Sequence, residues 1–257
     1  MNFTDTHTHL HFDQYRDDLD EVIKRAGQAG IKKILTLGTD PASSRDTLSI
    51  AHRFEIVYAA VGIHPTDISD KPNEDTRRIR ELIDQGNKIA AVGEIGLDLH
   101  WKEIPLEKQF PIFEQMLMLA AEKNLPVVIH NREAHPEMRR FLRERDFTRL
   151  RGVMHSFSGT ANDAAFYMEL GLMISFTGVI TFKNFKDMDV VRSVPPDKLL
   201  LETDSPFLTP VPNRGKRNEP FNVRHIAVKL AEVHSLQLEE ISEITCRNAA
   251  SLFRWND

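Results

Sequence analysis

The chain of 257 residues contains one cysteine, so no disulfide can form within it. That residue, Cys246, lies in "ISEITCRNAASLF", whose helical apolar spacing reads it as a small core residue. Long hydrophobic runs are also missing. No stretch approaches the roughly 18 apolar residues that span a bilayer, and the start lacks a basic segment followed by an apolar one. These two absences read as a cytoplasmic protein with no membrane anchor. A basic surplus is missing as well: 33 Lys and Arg against 38 Asp and Glu leave a net charge of -5. That balance argues against a protein that coats nucleic acid or lipid, while a local basic patch could still grip a phosphate. What remains, 41% hydrophobic and 28% charged residues, is the composition of a globular chain able to bury a core.

What the chain does have is a regular beat of short apolar runs. They are "FTDTHTHL" (from Phe3), "KKILTLG" (from Lys32), "IVYAAVG" (from Ile56), "KIAAVGEIG" (from Lys88), "LPVVIH" (from Leu125), "RGVMH" (from Arg151), "GLMISFTG" (from Gly171) and "KLLLETD" (from Lys198). Several lack polar alternation, as parallel strands covered on both faces do. Amphipathic segments lie between them. In "DQYRDDLDEVIKRAGQAG" the residues Leu19, Val22, Ile23, Ala26 and Ala29 form one stripe, with Asp13 placed to cap the start and Gly30 the end. The segment "PLEKQFPIFEQMLMLAAEKN" repeats the scheme through Phe110, Phe113, Leu117 and Ala120, and its Pro111 must sit near the first turn or kink the helix. Strand starts fall about 28 residues apart, close to the length of a βαβ unit. Eight units predict an α/β fold, a (β/α)8 TIM barrel in a single domain over residues 1–257. Two C-terminal helices near 221–234 and 238–254 close it, and the seventh helix, around "NFKDMDVVRSV", is the weakest.

The stretch "FTDTHTHLH" places His7, His9 and His11 almost at the start of the chain. In a strand, residues two apart share a face, so His7 and His9 project together with Asp5 below them. Two imidazoles side by side are a metal-ligand geometry, though a pair alone is a weak sign. The other strands decide. Barrel enzymes build their sites at the C-terminal ends of strands. Here the strands finish on His7 and His9, His64, Glu94, His130, His155 and Asp204. One histidine ending a strand is more often structural, but repetition on strand after strand points to a metal centre. Four imidazoles and two carboxylates are too many for one four-coordinate ion that keeps an open position. They suit two divalent ions sharing a bridge and activating a hydroxide. Glu94, midway in the ligand order, is the candidate bridge. Asp204 could bind one ion and also take the proton from the attacking water. Nitrogen and oxygen ligands without thiolate suit Zn, Mn, Mg or Ni alike. Glu202 reads as a buried group supporting the ligands. His11, His52, His135, His225 and His234 read as ordinary surface or core residues.

These residues carry a resemblance that runs almost end to end, to the TatD family of metal-dependent hydrolases within the amidohydrolase-like barrels. It rests on "DTHTHL" (Asp5 to Leu10), "GIHP" (Gly62 to Pro65), "GEIGLD" (Gly93 to Asp98), "IHNREA" (Ile129 to Ala134), "HSFSG" (His155 to Gly159), and "LLLETDSPFLTP" followed by "NRGKRNEP" (Leu199 to Pro220). The resemblance implies one metal held by His7, His9 and Asp204, a second held by His130 and His155, and Glu94 shared. It also implies a deoxyribonuclease, often a 3'-to-5' exonuclease, while some relatives remove D-amino acids from tRNA.

Smaller details bear on substrate. The loop after Asp98, "LHWKE", places His100 and Trp101 beside the rim, and Trp101 could stack on a base. Arg132, Arg214, Lys216 and Arg217 could hold phosphate oxygens, and His64 is assigned to the substrate side. The expectation is a metal-dependent hydrolase with DNA as substrate and no obligate protein partner implied. The alternative keeps the centre and changes the bond to an ester or amide, for example in a D-aminoacyl-tRNA deacylase.

Overall fold

Residues 1–255 are described by a computed structural model. Eight strands follow the eight apolar runs: β1 (Phe3–Thr8), β2 (Ile31–Leu37), β3 (Val57–Val61), β4 (Ile89–Asp98), β5 (Val127–Arg132), β6 (Gly152–Met154), β7 (Leu172–Phe176) and β8 (Leu199–Leu201). They lie side by side in chain order, each parallel to the next. The two ends of the sheet meet just past β8. Thr8 bridges Ser205 in parallel, the His9 N–H donates to the Ser205 carbonyl at 2.8 Å, and the Asp204 N–H donates to the His7 carbonyl at 2.9 Å. The result is a nearly closed (β/α)8 barrel. All six residues of β1 are buried, as a parallel strand covered on both sides requires. Its threonines knit it to both neighbours: Thr6 Oγ1 donates to the Leu201 carbonyl and Thr8 Oγ1 to the Leu35 carbonyl, each at 3.0 Å.

Seven helices connect the strands: α1 (Leu19–Gln28), α2 (Pro41–Arg53), α3 (Pro72–Gln85), α4 (Leu106–Glu122), α5 (His135–Glu144), α6 (Ala161–Glu169) and α7 (Met188–Ser193). The chain then closes with α8 (Val223–His234) and α9 (Leu238–Phe253), while α7 is a helix of only six residues. The apolar stripe of α1 is buried through Leu19, Val22, Ile23 and Ala26, and each such Leu, Val or Ile contributes roughly 1.5–3 kcal/mol. Gly30 follows α1 at φ 89°, and a Cβ there would meet the Met1 carbonyl oxygen at 2.7 Å. Only glycine suits that left-handed turn.

Two local expectations, for Asp13 and Cys246, are corrected, and Pro111 is placed within its helix. Asp13 does not cap α1: it begins a separate 3-10 turn over Asp13–Tyr15, because Tyr15 is drawn into the core and its hydroxyl donates to the Asn218 carbonyl at 2.6 Å. Pro111 lies within α4, in the second turn, where one backbone hydrogen bond is forgone. Cys246 is half-buried, its Sγ 3.1 Å from the Asn2 carbonyl, so it ties α9 to the start of the chain and stays outside the core. Among the described residues, no helix is long and apolar enough to cross a membrane.

Candidate metal centre

The polar groups predicted at strand ends converge at one mouth of the barrel. His7 is the last residue but one of β1 and His9 lies just past its end, with their Nε2 atoms 3.1 Å apart. His9 Nδ1 faces the Leu37 carbonyl at 3.1 Å. A carbonyl only accepts, so Nδ1 carries the proton and the neutral ring keeps a lone pair on Nε2. Glu94 Oε2 lies 3.4 Å from His7 Nε2 and 3.5 Å from His9 Nε2, and Asp204 Oδ1 lies 3.7 and 3.6 Å from the same two atoms. A divalent ion with bonds of about 2.0–2.1 Å in a tetrahedron separates its ligands by about 3.3–3.4 Å. The five distances scatter around that value, and the donor set fits a cation.

The other oxygen of Glu94 faces a second group. Oε1 is 2.9 Å from His130 Nδ1, 3.1 Å from His155 Nε2 and 3.6 Å from His64 Nε2. His64 Nδ1 is tied to Thr66 Oγ1 at 2.7 Å. The sequence reading kept His64 out of the ligand set, yet its ring nitrogen stands close to both Glu94 and His130. Burial, with the neighbouring His130, pushes the His64 pKa down to about 3. Burial opposes charge on Glu94, but His155, His64 and His7 hold its carboxyl well below the ordinary range.

Glu94 does not end its strand, because β4 runs on to Asp98. The pairing with β5 shifts register between Val92 and Ile95, a bulge that turns Glu94 toward the centre. Past it, Gly96 has φ 147°, and a Cβ there would meet the His130 carbonyl oxygen at 1.9 Å, so glycine lets β4 press against β5. Supporting groups stand behind the histidines. Asp98 Oδ2 accepts from His130 Nε2 at 2.8 Å. Glu202 is fully buried, accepts from the Ser156 N–H at 2.5 Å and from Ser175 Oγ at 2.7 Å, and lies 3.4 Å from His155 Nδ1 without hydrogen-bond geometry. Asp5 holds the segment that carries Asp204, accepting from the Thr203 N–H at 2.9 Å and Thr203 Oγ1 at 2.6 Å. Asp98 closes the stretch "GEIGLD" and is absent from the expected site residues. Its even spacing from Glu94 on one strand was the available signal.

Two adjoining lobes open over the centre, of about 460 and 560 Å³, both lined by Trp101, His130, Arg132, His155, Asp204 and Phe207. His64 lines the smaller. Trp101 and Phe207 are both about half exposed, and nothing in the sequence reading singled out Phe207. Arg214 and Arg217 line neither lobe. Arg214 lies over the Phe182 ring at 3.7 Å. Arg217, expected on the phosphate side, has its guanidinium paired with both oxygens of Asp18 at 2.7 Å and with Glu219 at 2.8 Å.

Comparison with known proteins agrees with this geometry. The family model described as TatD related DNase matches residues 4–254. The chain belongs to that family. Among its TatD-family relatives, the uncharacterized metal-dependent hydrolase YabD of Bacillus subtilis is 43% identical, over 98% of this chain and 99% of the relative. The 3'-5' ssDNA/RNA exonuclease TatD of Erwinia amylovora is 34% identical, over 93% of this chain and 95% of the relative. The crystal structure of YjjV, a TatD homologue from Escherichia coli, superposes with a TM-score of 0.92 at 32% identity, covering 99% of this chain and 98% of that one. Like the family, the chain is a metal-dependent hydrolase, with His, Glu and Asp clusters able to hold metal at the mouth of its barrel.

Proposed function

We propose that this TatD-family chain is a 3'-to-5' deoxyribonuclease that cleaves phosphodiester bonds with two divalent ions held across Glu94. One observation carries the reading: the two oxygens of Glu94 face different ligand groups, Oε2 toward His7 and His9 and Oε1 toward His130 and His155. In this reading His7, His9 and Asp204 hold one ion, His130 and His155 the other, and Glu94 both. Such ions supply positive charge to the phosphate and the acidity that lets a water attack at neutral pH.

Asp204 is the group that receives the proton of that water. Its side chain is 15% exposed against 4% for Glu94, and it lines both lobes. Burial disfavours its charge, but the hydrogen bond to His9 and the charges of His7 and His155 keep its carboxyl below the ordinary range, so it enters the reaction ionised. Arg132 is exposed, lines both lobes and forms no ion pair among the described residues, which leaves its guanidinium fork for a phosphate. Trp101 offers a half-exposed face for a base. His64, held neutral, presents its ring to the smaller lobe and the substrate. The exonuclease name carried by relatives supports a polynucleotide substrate.

The alternative is an ester or amide hydrolase using the same centre, for example a D-aminoacyl-tRNA deacylase. The engagement of Arg217 with Asp18 favours it, since fewer guanidinium groups remain for a phosphate chain. The test is metal-stripped protein reloaded with Zn, Mn, Mg or Ni and given 5'-labelled single-stranded DNA, beside a chromogenic ester and a D-aminoacyl-tRNA. Stepwise shortening from the 3' end is expected. Turnover of the ester or the tRNA with the oligonucleotide left intact would transfer the centre to the alternative.

A further inference from the structure

Asp98 is 1% exposed at the end of β4, and its carboxylate serves two different parts of the site. Oδ2 accepts from His130 Nε2 at 2.8 Å, and Oδ1 accepts from the backbone N–H of Trp101, also at 2.8 Å. The group has little freedom to serve them separately. Gln109, buried on α4, accepts from the Asp98 N–H at 2.9 Å and donates to the Asp98 carbonyl at 2.8 Å, clamping the backbone on both sides. The loop beyond it carries Trp101 into both lobes of the cleft, with the Arg132 guanidinium 6.0 Å from the indole ring. His100, next in the chain to Trp101, reaches Glu133 Oε1 at 2.8 Å through Nδ1, so the loop rests on the segment after β5, the strand that carries His130.

We propose that Asp98 is a positioning residue that couples metal capture at His130 to the placement of Trp101 on the substrate side of the cleft. The proposal rests on the reading that His130 helps to hold a second ion. With Nδ1 of His130 turned to an ion, the ring can donate only through Nε2, and the bond to Asp98 fixes both its tautomer and its orientation. The same carboxylate fixes the first turn of the Trp101 loop. A shift of His130 toward an ion therefore moves the acceptor that holds the loop, and a substrate that orders the loop holds His130 in place. By linkage each event favours the other. An aspartate is required because both neighbours are donors. Asparagine offers one oxygen and one NH2, so it can satisfy His130 or the Trp101 N–H and must turn a donor on the other.

The experiment uses the metal-stripped full chain titrated with Zn2+, following heat and tryptophan emission together. Trp255 is 7% exposed and supplies a steady background, which Trp101→Phe isolates. The wild type is expected to take up two equivalents, one accompanied by a change in Trp101 emission. In Asp98→Asn, one equivalent should weaken by about 10–100-fold, the other should hold, and the emission change should be lost. Should Asp98→Asn lose its fold by circular dichroism, His130→Ala carries the test: one equivalent is retained and the emission response disappears. Two wild-type equivalents with Asp98→Asn matching the wild type in both affinities and emission would overturn the coupling, as would a surviving response in His130→Ala. A single equivalent in the wild type, unaffected by His130→Ala, would instead remove the two-ion reading on which the coupling stands.

Discussion

Replacing Arg217 by alanine should weaken the fold and leave nucleic-acid binding alone, whereas Arg132→Ala should do the reverse. Arg217 makes a two-pronged pair with Asp18, a third contact to Glu219, and lies over the Tyr15 ring at 4.9 Å. Side-chain exposures of 28% for Arg217, 37% for Asp18 and 11% for Glu219 put these pairs between surface and interior. Pairs of this kind are worth about 0.2–1 kcal/mol each, and the cation over the ring adds about 0.5–1 kcal/mol. Arg25 remains to pair both acids, at 3.2 Å to Asp18 and 2.8 Å to Glu219, which limits the loss. The net cost is about 1.5–2 kcal/mol, a fall in Tm of about 3–4 °C for a chain of this size. Arg132 has no such anchor among the described residues and lines both lobes. Its loss should leave Tm nearly unchanged. It should also lower the slope of log affinity against log salt by roughly 0.7, the share of one single-strand phosphate contact. Thermal scans by circular dichroism and anisotropy of a labelled oligonucleotide, with Ca2+ replacing the catalytic ion, measure both. A flattened salt slope in Arg217→Ala with Tm unchanged would show that the Asp18 and Glu219 network opens to DNA, and a bracing role for Arg217 would be refuted.

Glu94→Gln should cut turnover by about 100-fold or more and lower saturated metal content by elemental analysis, because a neutral amide bridges two cations poorly; wild-type turnover would refute the bridge. Asp204→Asn should lower kcat by about 10²–10⁴-fold with KM little changed, and an effect confined to KM would make Asp204 a binding group alone. Burial works against a charge on His155, yet Glu94 and Glu202 raise its pKa well above the ordinary value, so the metal-free centre holds a proton there at neutral pH. Metal must displace that proton, so calorimetry in buffers of different ionisation enthalpy should show proton release, with apparent affinity rising from pH 6 to 8; no buffer dependence would refute it.

The convergence of these polar residues was legible because their chemistry is uncommon and their placement follows from one-dimensional spacing. In a parallel barrel, an apolar run that stops on a histidine places that side chain at one mouth, and His7, His9, His130 and His155 meet there around Glu94. The position of Glu94 within its strand was less legible. Continuing β4 to Asp98 depends on a bulge against β5, and a bulge is a property of two strands paired together.

The arginines show the limit in its sharpest form. Every guanidinium in a loop after a strand looks available in the sequence, since availability is decided by the acids nearby. For Arg217 the deciding acid, Asp18, is 199 positions away in the chain and is brought close only when the segment before α1 packs against the loop beyond β8. Arg132 has no such neighbour among the described residues: it lies two positions beyond His130 on β5, where the barrel mouth opens into the cleft. Two residues of one type near strand ends therefore differ in surroundings, one paired with acids and the other lining the cleft. Asp98 is the converse case. Both partners of its carboxylate, Trp101 and His130, lie near it in the chain or on the adjacent strand, so register brings them together. A carboxylate that ends a central strand beside a ligand-bearing strand is thus a position where the support of a metal centre can be sought directly from strand order, before any side chain is placed.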